Sequence, residues 1–248
     1  MKRDRRLEWR NMKFETYEQV EEAIMQVVNE EIVEGDFMRT LVEGQWNQAH
    51  VREFALQYSY YSRNFPRVLA AAVTAVVAED DWWIPLVDNI WDEAGRGKPN
   101  GSHTILYHSF MVTAAPDVPT DERHIPDYPI APPAIDAVNN FINFLRNATP
   151  LEAMAAIGFG SEYFAGKVMG LIGRGMEHPN YNQDQKIDAT FWTVHADIHE
   201  PRHYALCKNV LQRYTTPQDL EAMFNAGAYI ARCEARFYDG LYERMKML

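Results

Sequence analysis

Apolar side chains recur at three- and four-residue steps along most of this chain, and that period restricts it to helices packed on helices. In residues 14–32 the apolar positions Val20, Ile24, Val27 and Val28 are separated by acids, so one face of a helix is apolar and the other is charged. Residues 46–61 give a second helix, aromatic along Phe54, Tyr58 and Tyr61. Pro66 suits the first turn of a third, where its missing N–H lies unpaired anyway. That helix, 68–77, is apolar nearly all round and is expected to be buried. A short helix follows over 81–93, with Pro85 expected in its first turn. Further helices are expected at 134–145, 150–158, 161–173, 186–214 and 217–247.

Two loops interrupt the pattern. Residues 95–101 hold three glycines and a proline, and residues 116–133 hold six prolines with several acids, which should run over the surface. No alternating segment long enough for a strand is found, nor any repeat or linker. The reading is all-α, a single helical domain over residues 1–248.

Charge narrows the partners. A formal net charge of −11 argues against nucleic acid or an anionic membrane, both of which reward clustered Lys and Arg. The basic start Lys2-Arg3-Asp4-Arg5-Arg6 precedes Leu7-Glu8-Trp9-Arg10 rather than an apolar run, so it is expected to be a frayed terminus and not a secretory signal. No stretch approaches the ~18 apolar residues of a membrane span. Cys207 and Cys233 lack metal-ligand spacing and read as core thiols in a reducing cytoplasm. Small-molecule chemistry is left, with a second copy of the chain as the macromolecular partner still open.

Potential metal ligands collect in three places. Asp92-Glu93 ends one helix, and His103 opens the next ten residues after Glu93. Glu162 stands in Gly158-Phe159-Gly160-Ser161-Glu162-Tyr163-Phe164, an acid among small and aromatic residues. The third cluster, Phe191-Trp192-Thr193-Val194-His195-Ala196-Asp197-Ile198-His199-Glu200-Pro201-Arg202-His203, holds three of the chain's eight histidines. At about 100° per residue, His195, His199 and His203 fall on one stripe. A lone buried histidine is usually a hydrogen-bonded core residue. Three on a stripe beside Phe191 and Trp192 cost free energy unless partners satisfy them, and a cation with carboxylates from facing helices would do so. Carboxylate with imidazole suits iron or manganese better than calcium or structural zinc.

Asn89-Ile90-Trp91-Asp92-Glu93-x-Gly95 with His103, then Gly160-Ser161-Glu162, then Phe191-Trp192-x-x-His195, preceded by the aromatic run from Gln57 to Pro66, stand in a recognisable order. In that order the chain resembles the heme-oxygenase-like di-metal oxidases, relatives of thiaminase II and pyrroloquinoline quinone synthase, over about residues 46–214. The resemblance implies a heme-oxygenase-like helical bundle. It also implies that Glu93, His103, Glu162 and His195 are ligands. The family's last motif reads His, three residues, Asp, two residues, His. Here strict register puts His199 in place of the Asp and Arg202, which has no lone pair to offer, in place of the final His. One inserted residue restores carboxylate-x-x-His as Glu200 and His203, and Pro201 favours such a bulge. His199 is the alternative ligand.

By the same resemblance the chain binds two Fe(II) ions and uses O2 to oxidise a small molecule, with amino acids, aromatic ones first, as the expected substrate class. Tyr58, Tyr61, Phe164, Phe191 and Trp192 are expected to shape a flat apolar pocket, and Arg202 to pair with a substrate carboxylate, as Arg63 or Arg67 also could. The commoner fate of each is core packing or a solvated ion pair. The rival readings are a fatty-acid oxidative decarboxylase, a cofactorless quinone or pyrimidine enzyme, and a helical interaction module docking through 116–133.

Overall fold

A computed structural model describes residues 13–248, and the basic start at residues 2–6 lies outside them. Helix α1 (Tyr17–Val28) begins where the Thr16 side chain accepts from Gln19 N–H and buries Val20, Ile24, Val27 and Val28. Its last turn widens into a π turn, Asn29–Val33. Helix α2 (Asp36–Val42) buries Phe37, Met38 and Leu41; it is too short for its period to stand out in the sequence.

Helix α3 (Gln48–Ala75) corrects the reading of Pro66. One 28-residue helix runs through the proline, so residues 46–61 and 68–77 form a single rod. Proline breaks a helix by withholding one N–H and crowding the preceding turn, at a cost of ~3 kcal/mol; here packing along both halves outweighs it. The second half is also less buried than its composition suggests, because only Val68, Leu69 and Ala72 turn fully inward. Pro85 likewise lies inside α4 (Asp80–Glu93), not in its first turn.

After α4, Gly95 takes φ +77°, and a Cβ there would sit 2.2 Å from the Gly101 carbonyl carbon. The loop therefore folds back on itself, returning the chain to Glu93 as α5 (His103–Ala114) begins. The proline-rich segment between α5 and α6 (Pro132–Asn147) crosses the surface as expected but is tied down. Gln57, fully buried, donates to Pro129 O and accepts from Ala131 N, and Tyr128 OH donates to buried Glu53.

Helices α7 (Pro150–Ile157) and α8 (Tyr163–Met176), read as separate, are joined through a π turn, Gly158–Glu162. A third π turn, His195–His199, joins α9 (Thr190–Val194) to α10 (Glu200–Leu211). Residues 186–189 are not helical, which shortens the helix expected over 186–214. Helix α11 (Pro217–Met245) packs on α7, α1 and α6, while α3 packs on α5 and α6. The described residues contain no strand, and one apolar cluster runs through the bundle. None of their helices is long and apolar enough to cross a membrane.

Candidate metal centre

Two of the three π turns, Gly158–Glu162 and His195–His199, lie where the candidate ligands are. In a regular α-helix Glu200 would stand about 140° around the axis from His195, at ~100° per residue. A turn widened by one residue rotates it back by about 100°, close to the His195 face, and Glu200 N–H bonds to His195 O across five residues. Pro201 has no N–H to give Asp197 O, so an α-helical turn has less to offer here. The π turn at Gly158–Glu162 is shaped by packing: a Cβ on Gly160 would meet Ile230 at 2.6 Å, and one on Gly158 would meet Leu211 at 2.9 Å. Close approach of α10 and α11 thus leaves room for no side chain at these positions, and Glu162 is held at the bundle centre.

The six residues read from the sequence fall into two triads, each with ligand atoms within 4.8 Å of one another: Glu93 with His103 and His195, and Glu162 with Glu200 and His203. His203 also belongs to a third group, with Asp92 and His199.

In the first triad His103 Nδ1 lies 2.9 Å from both Glu93 Oε1 and His195 Nε2. His195 Nδ1 is 2.7 Å from the Phe191 carbonyl, which can only accept, so the His195 proton sits on Nδ1 and Nε2 offers a lone pair. A single proton on His103 Nδ1 then faces two acceptors. Donors of two adjacent positions on an ion with ~2.1 Å bonds are about 3 Å apart, so a cation fits this spacing. Burial, then neighbouring His103, holds the His195 imidazole well below its ordinary value and hence neutral.

The second triad is buried throughout. Asn89 Nδ2 donates to Glu162 Oε1 at 2.9 Å, whereas no hydrogen bond reaches Glu162 Oε2, although His203 Nδ1 lies 3.4 Å away. A buried carboxylate oxygen with no N–H bonded to it, facing an imidazole and a second carboxyl group, is arranged as a cation ligand would be. Burial, and after it the nearby Glu162 charge, pushes the Glu200 carboxyl well up. Burial would raise Glu162 too, but His203 outweighs it and the net direction is down. One proton therefore rests on Glu200 rather than two charges standing side by side.

Behind this triad stands a residue that the sequence reading noticed but did not assign. Asp92 Oδ2 is 2.9 Å from His203 Nε2, the arrangement by which a carboxylate fixes the tautomer and ring orientation of a ligating histidine. Arg96 and Arg202 clamp Asp92, and Arg202 also reaches Asp88. Arg202 is thus not presented to a substrate: its guanidinium is spent on two acids behind the ligands. His199, the alternative ligand, keeps its Nδ1 4.0 Å from Asp92 Oδ2, and burial followed by His103 lowers it to about 4.

A cavity of about 500 Å³ opens against the triads. Glu93, His195 and Glu200 line it, together with Tyr58, Tyr61 and Phe191. Phe164 and Trp192 do not line it; both are fully buried, and Trp192 is the hub of a ring cluster with Tyr58 at 4.8 Å and Phe110 at 5.3 Å. The cavity holds one acid that the sequence reading missed, Glu234 of α11. Tyr238 OH donates to it at 2.8 Å, and burial pushes its carboxyl up to about 7. Its signal was an acid in register with Ile230, Ala231, Phe237 and Tyr238 on the buried stripe of α11.

Residues 52–235 match the model of a family described as iron-containing redox enzymes. Among solved structures, a CADD-like protein of unknown function from Nostoc punctiforme superposes with a TM-score of 0.73 at 14% identity, covering 92% of this chain and 95% of that one. A domain of unknown function with a heme oxygenase-like fold from Shewanella denitrificans gives 0.70 at 12%, covering 93% of each chain. A TenA homolog from Pseudomonas syringae gives 0.67 at 14%, covering 91% and 92%. These likenesses show the heme-oxygenase-like fold. A search of curated proteins by sequence finds no match.

Proposed function

The chain belongs to the family of iron-containing redox enzymes, and from that premise we propose that it is a non-heme di-iron oxidase that uses O2 to oxidise a small molecule, an amino acid and more specifically an aromatic one. The observation that carries this reading is that two ligand triads, three Glu and three His in all, each present at least one residue to the same cavity. Glu93, His103 and His195 would hold one ion, and Glu162, Glu200 and His203 the other. Bound there, ferrous ions would supply electrons and open coordination positions for O2.

The protein's own contributions are positional. The Phe191 carbonyl fixes which nitrogen of His195 is free, and Asp92 does the same for His203. Tyr58, Tyr61 and Phe191 give the cavity a flat apolar wall that excludes water from the oxidant and takes an aromatic side chain. Glu234, with its carboxyl near neutrality, can accept a proton from a substrate ammonium or return it. The compact cavity favours an amino acid over a fatty acid, which needs a long channel. The ligand acids are largely buried, which speaks against an interaction module, because unpaired buried charge is costly.

The test is O2 uptake by the iron-loaded chain against a panel of amino acids and medium-chain fatty acids. Aromatic amino acids should accelerate uptake most. Acceleration by the fatty acids alone would overturn the substrate class.

A further inference from the structure

A second, smaller cavity of about 240 Å³ shares Ser62 with the first. Its walls come from three elements: Arg63 of α3, Thr104 and His108 of α5, and His124 of the proline-rich loop. Beside Tyr107 and Met111, the polar part of its lining favours an anion. Arg63 is half-buried, donates to Ser59 Oγ at 3.2 Å, lies over the Tyr60 ring, and forms no ion pair among the described residues. In a chain of net charge −11, a half-buried guanidinium without a carboxylate is conspicuous. Asp121, the acid whose charge reaches it through space, already accepts from the Arg123 side chain and from Arg123 and Ile125 N–H.

The two histidines repeat the pattern. His108 Nδ1 is buried without a hydrogen-bond partner, and the His124 ring lies over the His108 ring with centroids 4.2 Å apart. His124 is held there at φ +62°, a conformation that non-glycine residues rarely adopt and that concentrates at ligand sites. Two imidazoles in contact beside an arginine thus bring three nitrogen-bearing groups to one small space, and His108 Nδ1 has no partner there.

We propose that this second cavity is a carboxylate-binding subsite, and that the molecule oxidised in the larger cavity is a carboxylic acid anchored here across Ser62. The guanidinium fork matches a planar carboxylate in two parallel bonds. Among the described residues Arg63 is the one permanent charge lining the cavity, which suits a monoanion better than a dianion such as phosphate. As a substrate subsite it rests on the oxidase reading; as an anion site it does not, since neither iron nor O2 is needed to occupy it.

The test is a titration of the full-length, metal-free chain with acetate and, separately, inorganic phosphate at constant ionic strength, following the ring resonances of His108 and His124 by NMR. Acetate should shift both saturably and bind more tightly than phosphate. Arg63→Gln should weaken acetate about tenfold or more, and Arg63→Lys should restore part of it. His124→Asn, on a surface loop and with a side chain that tolerates positive φ, should weaken it a few-fold with the helical circular dichroism unchanged, whether or not Arg63→Gln folds. No saturable shift, equal affinity in a folded Arg63→Gln or in His124→Asn, or tighter phosphate would each overturn the assignment. Loss of acetate binding with iron uptake intact would leave the oxidase reading standing. Acetate binding without iron uptake would do the reverse.

Discussion

The two ligand triads differ in charge and in how they are backed. The first pairs one carboxylate with two imidazoles, and its histidine orientation comes from a main-chain carbonyl, that of Phe191. The second has two carboxylates and one imidazole, is buried throughout, and takes its orientation from Asp92, itself clamped by Arg96 and Arg202. Burial keeps His195 of the first triad neutral and ready to bind. In the second, Glu200 is pushed up into its protonated form by burial and Glu162, and His203 is also raised, because Glu162 and Asp92 outweigh its burial. A cation entering the second site must displace protons; one entering at His195 need not. The second ion should therefore be the looser and the more pH-dependent.

The largest expected effect comes from removing ligands. Glu200→Ala and His203→Ala should each abolish turnover and bring iron down to about one per chain, while His199→Ala should be milder. Metal analysis and O2 uptake on the three variants check this, and a reversed ranking would move the second site onto His199.

Next is pH. Because Glu200 is raised, its proton competes with the ion at the lower end, so second-site affinity should fall by about tenfold per pH unit for each proton displaced. Affinity should therefore be lower at pH 6 than at pH 8, by up to roughly a hundredfold for one displaced proton, with the first site changing much less. Anaerobic calorimetry at both values separates them, and equal losses at the two sites would erase the distinction drawn above.

Arg202→Gln touches no ligand, yet it should weaken the second ion by about tenfold or more, as loss of outer support does, and leave the first unchanged. Were Arg202 a substrate anchor, iron binding would not move.

The smallest effect concerns the cavity wall. The Glu234 carboxyl is raised from 4.5 to about 7, so the folded state prefers the proton. Wild-type stability should fall as pH rises through that window. At about 1.4 kcal/mol per tenfold, metal-free Glu234→Gln should be more stable than wild type by up to about 3 kcal/mol at pH 8 and no more stable at pH 4. Urea melts at the two values measure it.

Most of the helices were legible because their apolar period is long and regular, and the six ligand candidates because acids and histidines are rare among such residues. What the sequence hid was local geometry set by distant packing. Pro66 reads as a helix start, and only the contacts along both halves of α3 explain why the helix continues. The π turn at His195–His199 was legible by an indirect route, as one residue too many between His195 and the carboxylate-x-x-His pair. Its twin at Gly158–Glu162 was not, since it depends on how closely Ile230 and Leu211 approach. Arg202 reads as a free cation beside the ligands. Its partners, Asp88 and Asp92, lie more than a hundred residues away in the chain, and no local pattern announces them.

Anaerobic titration of the metal-free chain with Fe(II), followed to saturation by calorimetry and metal analysis, tests the central claim most directly. Two ions per chain are expected, one tight and one looser, with Glu93→Ala removing the first and Glu200→Ala the second. Uptake no greater than that of a background protein, or a single ion untouched by either substitution, would contradict a two-metal centre built from these triads.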